Sequence, residues 1–321
     1  MSITLEDVLR ARERVASYVR RTPLTHAHWL SDTTGGRISL KLESLQTTNS
    51  FKLRGAVNAI AALVERSSGT PHVVTASAGN HGRAMAWAAE RLGGRLTVFT
   101  AHDAPRTKLD AIRRHGADLR AAAPTYDDAE RLAKAFAEEA PATFISPYNH
   151  PDVIAGAGTL GLEILEDAPE TGSVIVPVGG GGLLSGIAIA IKAKTPSVRV
   201  IGVEVEASHP FCTSLAAGRI VKIEAGETIA DGLSGNLDPD TITFEIIRTL
   251  VDDTVLVSEE GLRRSIRSLV ANEQIIAEGA GITAVAALLE GRVEDDRAPT
   301  VAIVSGANID FNRLKDILAE E

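Results

Sequence analysis

A single cysteine, Cys212, in 321 residues excludes an internal disulfide and any cysteine-rich zinc site, and it suits a reducing compartment. Positive charge is in deficit. The 33 Lys and Arg against 42 Asp and Glu leave a formal charge of −9, which argues against a nucleic acid or anionic membrane as partner, since both call for positive surface potential. No run of about 18 uncharged apolar residues occurs. The amino terminus, MSITLEDVLRARER, carries acidic residues and no apolar stretch of the secretory kind. A cytoplasmic chain without membrane segments is the expectation. Aromatic residues are scarce at 4%, whereas 28 residues are glycine and these are unevenly spread. With 44% hydrophobic residues there is ample material for a core, in one large domain or two ordinary ones.

Residues 4–19 read as an amphipathic helix with Thr4 as N-cap and Asp7 three residues on, close to a capping box. The period then changes. ISLKLE (38–43) alternates as a strand, and 52–66 returns to helical spacing. Short β-rich runs follow at 72–77, 95–100, 117–123 and 143–147, each trailed by a helix-like segment. A second series starts at 173–178, 198–205, 253–258 and 300–306. Repeated strand–helix alternation with nearly continuous apolar strands predicts α/β layers around mostly parallel sheets. Two series predict two domains: a large one from 1–70 and 148–321, and a small one from 71–147. The charged run EDDR (294–297) reads as a solvated loop.

In open α/β sheets ligands sit beyond the carboxyl ends of strands, so the strand-to-helix junctions carry the functional information. At VPVGGGGLLSG, Gly179, Gly180, Gly181 and Gly182 let consecutive N–H groups turn toward one anion, with the dipole of the following helix behind them. No Lys or Arg lies between Pro177 and Ile191, so amides alone would hold a phosphate there. The lysine of a nucleotide-hydrolysing P-loop is missing. A dinucleotide fingerprint is the rival reading, with Glu204 about 20 residues on as the ribose acid; it places Ser185 where the third glycine belongs. Lys52 heads a helix after a polar loop and Phe51. A phosphate cradle without hydrolytic machinery, together with an inward lysine, suggests pyridoxal phosphate held through that lysine. A third junction carries Ser77, Ala78, Gly79, Asn80 and His81, small residues able to present N–H groups and hydroxyls to a substrate carboxylate. A fourth ends a strand at Ser305.

Taken in order over nearly the whole chain, SFKLRGA, ASAGNHGRA, PVGGGGLLSG and SGAN resemble the fold-type II pyridoxal-phosphate enzymes, in particular the threonine/serine dehydratase and serine racemase group. The resemblance implies a tryptophan-synthase-β-like fold of two α/β domains with mostly parallel twisted sheets. It implies that Lys52 forms the Schiff base, Phe51 packs near the pyridine ring, residues 179–182 with Leu183 hold the phosphate, Asn80 meets the ring hydroxyl and Ser305 the ring nitrogen. It implies, too, that segment 77–81 binds the amino acid's carboxylate. A homodimer is implied likewise, and the chain resembles the short catabolic form without a regulatory domain.

The implied chemistry is β-elimination from L-threonine, L-serine or a similar β-hydroxy amino acid, giving a 2-oxo acid and ammonia. Lys52 serves as anchor and base. Where racemase-like members carry a serine as second base, this chain has Ala78, which cannot carry a proton. Dehydratase is therefore expected over racemase. Hydroxyaspartate or phenylserine dehydration, or serine racemisation with dehydratase side activity, is the alternative in the same fold, and a nicotinamide-binding oxidoreductase the alternative in another class; the latter leaves Lys52 and Asn80 unexplained. Of the cation site found in divalent-dependent members, Glu204 and the Ser208 carbonyl match, but Pro210 replaces the second acid. One carboxylate is a poor divalent site, so at most a monovalent ion or a loosely bound cation is expected there. Ala307 stands where the group has a second glycine, Glu278 occupies the place of an acid below the active site, and Asp231-Gly232 resembles a family loop.

Overall fold

The computed structural model describes residues 3–293 and 298–320; the run 294–297 lies outside them. Numbered along the chain, the strands are β1 (Leu24–His26), β2 (Ile38–Leu42), β3 (His72–Ala76), β4 (Arg95–Ala101), β5 (Asp118–Ala123), β6 (Thr143–Phe144), β7 (Ser173–Pro177), β8 (Arg199–Val205), β9 (Asp253–Val257) and β10 (Thr300–Val304). The helices are α1 (Leu5–Val15), α2 (His28–Thr34), α3 (Lys52–Arg66), α4 (Asn80–Leu92), α5 (Arg106–Arg113), α6 (Tyr126–Glu139), α7 (Pro151–Asp167), α8 (Gly182–Lys194), α9 (Pro210–Ala217), α10 (Thr243–Leu250), α11 (Glu259–Glu273), α12 (Thr283–Leu289) and α13 (Phe311–Ala319). Every strand read from the sequence forms, although 143–147 shortens to β6, and β1 is an addition.

Two compact units result. The first contains the segment ending at Arg20 and Lys52–Ala157; the second contains Arg21–Phe51 and the chain from Gly158 onward. This division differs from the expected one, which kept 1–70 together with 148–321. The reason is the partner of each apolar face. Leu53, Val57 and Ile60 of α3 bury against Ala84, Met85 and Ala88 of α4, in one cluster with Val15 of α1 and Val153 of α7. Helical periodicity shows that such a face exists, but not what covers it.

The first unit is built on a parallel sheet in the order β5-β4-β3-β6. The alternating burial of β5 marks it as an edge strand. At the start of α1, the Thr4 N–H donates to Asp7 Oδ2 at 2.9 Å, within the expected capping box.

The second unit carries the order β1-β2-β10-β7-β8-β9, parallel throughout except for β1 on β2. Its central strands β7 and β10 are buried at every position, as sheets covered on both faces demand. Leu40, Ile175, Val203, Ala302 and Val304 pack there with Leu262 and Ile266 of α11 and Val285 of α12. Ionisable side chains are buried here too, Lys41, Glu43 and Glu204 among them. Lys41 of β2 has no side-chain exposure; its Nζ lies 2.8 Å from Glu163 Oε2, 3.2 Å from Asp167 Oδ2 and 2.8 Å from the Thr22 carbonyl. Such a lysine is tolerable inside because all three ammonium donors have partners.

Candidate active site

A crevice opens in an α/β sheet where neighbouring strands send their connections to opposite sides. Each unit has one such point. In the large sheet the chain leaves β7 for β8 and β9, then returns to β10 on the other flank of β7. The carboxyl ends of β7 and β10 are thus adjacent, and these are the ends that carry residues 179–182 and Ser305. In the small sheet the chain leaves β3 for β4 and β5, then returns to β6 on the other flank of β3. There the loop 77–81 lies beside the residues that follow β6.

At the first of these points, α8 starts at Gly182 with Gly181 as its N-cap and no side chain bonded to its first turn. Among the described residues, the N–H groups of residues 179–184 have no acceptor, Leu183 included; the next amide, Ser185, returns to the Gly181 carbonyl at 2.9 Å. Consecutive unpaired donors in front of a helix dipole, with no cationic side chain in the run, are what a phosphate dianion requires. Thr243 Oγ1 donates to the Gly180 carbonyl at 2.9 Å and holds the loop's outer turn. Gly181 has φ +83°, and a Cβ there would meet Phe211 Cζ at 2.6 Å. A Cβ on Gly179 would stand 3.0 Å from Leu233 Cα, within the 231–233 segment noted in the sequence. Glycine is therefore needed at both positions for packing as well as for the amide row.

Ser305 ends β10. Its N–H donates to the Gly281 carbonyl at 3.2 Å, its carbonyl accepts the Phe51 N–H at 3.0 Å, and its hydroxyl has no partner among the described residues. Glu278 Oε1 would lie 2.3 Å from a Cβ on Gly306, so this acid packs against the Ser305-Gly306 backbone. Ala307 replaces a glycine without disturbing the turn, since its N–H still reaches the Asn49 carbonyl at 2.9 Å and the Asn308 amide reaches the Thr48 carbonyl at 3.0 Å.

At the switch point of the small sheet, Lys52 opens α3 and its Nζ donates to the Pro147 carbonyl at 2.9 Å. Burial lowers its ammonium to about 8, so neutral amine becomes the major form just above physiological pH. Pro147 follows the short strand β6 and was not singled out in the sequence; a carbonyl leaves no signature in residue type. Asn80 and His81 begin α4, whose N-cap Gly79 contributes no side chain. The N–H groups of Ala78, His81 and Gly82 have no acceptor among the described residues, while the Gly79 N–H reaches Ser77 Oγ at 3.2 Å. The His81 ring is buried without a hydrogen bond of normal geometry, and burial and then the Lys52 charge hold it well below the ordinary histidine range. It is a neutral group.

Glu204 departs from a cation-ligand role. It is fully buried, and its two carboxylate oxygens accept the N–H groups of Phe211 at 2.9 Å and Cys212 at 2.7 Å, at the start of α9. Ser208 directs its hydroxyl at residue 235, accepting the Gly235 N–H at 3.1 Å. Helix α9, which Pro210 begins, thus provides Glu204 with partners of its own. Among the described residues, no group of three or more His, Cys, Asp or Glu gathers as a metal site.

An anion cradle of bare amides at one switch point and a lysine of depressed basicity at the other define a pyridoxal-phosphate protein. The profile of the pyridoxal-phosphate dependent enzymes matches residues 15–306, and the chain belongs to that family, in its fold-type II form. It is 44% identical over 319 residues to an L-threonine ammonia-lyase of Thermotoga maritima, covering 98% of this chain and 78% of that one. It is 39% identical over 319 residues to the catabolic L-threonine dehydratase TdcB of Escherichia coli K12, covering 99% and 96%. Among solved structures, the T.th. threonine deaminase superposes with a TM-score of 0.88 at 38% identity, over 96% of this chain and 99% of that one. Maize serine racemase superposes with a TM-score of 0.91 at 32% identity, over 98% and 97%.

Proposed function

We propose that this enzyme is a carbon–nitrogen lyase that converts L-threonine, L-serine or a similar β-hydroxy amino acid into a 2-oxo acid and ammonia. The observation that carries the reading is the row of unpaired amides at 179–184. Pyridoxal phosphate, when bound, supplies an aldehyde that links to amines and a ring that accepts the electron pair released at the substrate's α-carbon. Residues 179–183 would hold its phosphate, Lys52 its aldehyde carbon, Asn80 its ring hydroxyl and Ser305 its ring nitrogen, with Phe51 beside the ring.

The chain's own groups supply the rest. Lys52, neutral in good part near pH 8, would take the α-proton of the bound substrate. The N–H groups of Ala78, His81 and Gly82 at the start of α4 bind the carboxylate, as a helix N-terminus favours an anion. The Ser305 hydroxyl is neutral and cannot keep a ring nitrogen protonated as a carboxylate would, which limits electron withdrawal and favours prompt loss of the β-hydroxyl over transamination. Loss of that hydroxyl with the α-proton leaves an enamine; its imine form takes up one water and releases ammonia and the 2-oxo acid, so water lost equals water gained.

Ala78 decides between lyase and racemase. Inverting the α-carbon requires a proton donor on the face opposite Lys52, and a methyl group has no proton to exchange. Chiral analysis after incubation with L-serine tests this, and substantial D-serine would sink the lyase reading. The cofactor assignment is tested by colour. The purified protein should be yellow and bleach with borohydride, and Lys52→Ala should abolish the chromophore; a colourless protein that retains no pyridoxal phosphate contradicts the proposal. A panel of β-hydroxy amino acids assayed for ammonia and 2-oxo acid then identifies the substrate. We place the enzyme in the cytoplasm as a homodimer, consistent with the single cysteine and with no described helix being long and apolar enough to cross a membrane. Light scattering on the purified chain tests the dimer.

A further inference from the structure

At the end of the small sheet remote from the 77–81 loop, the first residues of three adjacent strands, His72 of β3, Arg95 of β4 and Asp118 of β5, open onto a cavity of about 290 Å³. Nothing in the proposed reaction uses it. Its charged side chains are paired with one exception. Arg120 donates to Asp118 Oδ2 at 3.1 Å and lies 4.4 Å from the centre of the Phe136 ring. His115 Nδ1 is 2.7 Å from Glu90 Oε2. The Thr97 hydroxyl donates to Asp118 Oδ2 at 3.3 Å, so its oxygen accepts from His72 Nε2 at 2.9 Å. The Arg95 guanidinium alone has no hydrogen bond or ion pair among the described residues. In a chain of net charge −9, this cavity therefore presents an uncompensated guanidinium on the sheet face that Phe136 covers.

We propose that this cavity is a binding site for a small organic carboxylate, anchored by Arg95 and resting its apolar end on Phe136. A guanidinium fork matches a carboxylate geometrically, and the aromatic wall selects an acid with a short hydrocarbon chain over a bare inorganic ion. The volume lies just under the range of drug-sized pockets, which suits a molecule of a few carbons. The inference stands apart from the catalytic reading, since it uses none of the residues assigned there.

His72 gives the site its own readout. The groups facing this ring are Arg95 from β4, Arg120 and Asp118 from β5, and the Phe136 ring from α6, set edge-on at 5.7 Å. Burial and the two arginines keep the imidazole below its ordinary range. A bound carboxylate offsets the arginines and favours the protonated ring, so binding takes up a proton and tightens as pH falls.

The test is a titration of the holoenzyme, labelled with 13C in its eight histidine rings, with sodium butyrate against sodium chloride at equal ionic strength. His72 and His115 are assigned through His72→Gln and His115→Gln. Saturable shifts at both rings are expected, with binding about threefold tighter at pH 6 than at pH 8. Arg95→Ala should weaken binding about tenfold and leave turnover unchanged, because one charge-assisted anchor is lost from an exposed position. No saturable shift at His72, an equal response to chloride, shifts confined to His81, or unchanged binding in Arg95→Ala would each overturn the proposal.

Discussion

Replacing Gly181 by alanine separates the two demands that the glycine loop meets. The backbone there has φ +83°, and holding a residue with a Cβ in that region costs roughly 1–2 kcal/mol. The added methyl would also stand 2.6 Å from Phe211 Cζ and 2.7 Å from Ile247 Cδ1. Both are buried side chains, and overpacking of this kind costs about 1–3 kcal/mol. The expected loss is thus about 2–5 kcal/mol. Gly35 supplies the control, since it has φ +78° with nothing within 4 Å of an added methyl, so Gly35→Ala carries the backbone penalty alone. Urea unfolding of both variants, saturated with pyridoxal phosphate, measures the difference. A second measurement, cofactor affinity by fluorescence titration, should show weaker binding for Gly181→Ala only, because moving this residue displaces amides 179–184. Equal destabilisation of the two variants would refute the packing argument, and unchanged cofactor affinity would refute the cradle.

Three further outcomes are expected. Capture of added pyridoxal phosphate by cofactor-stripped protein should accelerate with pH through a midpoint near 8 and level off above it, because only the neutral Lys52 amine reacts and burial lowers its ammonium from 10.5 to about 8. Stopped-flow absorbance that places the midpoint near 10.5 would contradict this. Lys41→Met should lower the stability of the fold by about 3–5 kcal/mol, since Glu163 and Asp167 then lose the cation between them; an unchanged urea midpoint counts against it. Ala78→Ser should raise the yield of D-serine from L-serine relative to ammonia, and a variant with no D-serine above the parent would remove the reason given for lyase over racemase.

Most of the elements and nearly all the candidate site residues were legible in the sequence, because both rest on local chemistry. Four glycines between a strand and a helix imply an amide row whatever surrounds them, and a lysine at a helix start after a polar loop is visible as such. Alternation in ISLKLE and the unbroken apolar run SVIVPV mark strands because each face of a strand meets one environment. β1 leaves no sequence signal because LTH is three residues long with hardly any burial. The Pro147 carbonyl escaped because every residue has one.

Non-local choices needed the folded chain. That α3 belongs with the small sheet follows from the fit of its Leu53, Val57 and Ile60 to α4, and periodicity names no partner. That Glu204 is engaged by amides follows from where Pro210 turns the chain into α9. Strand order is of the same kind. The chain's return to β10 beside β7 and to β6 beside β3 creates the two crevices, which depend on pairings between residues more than 60 positions apart. Residue order alone set which groups can hold a phosphate, an amine and a carboxylate. Packing settled where those groups stand, and by desolvating Lys52 it lowered its ammonium to about 8.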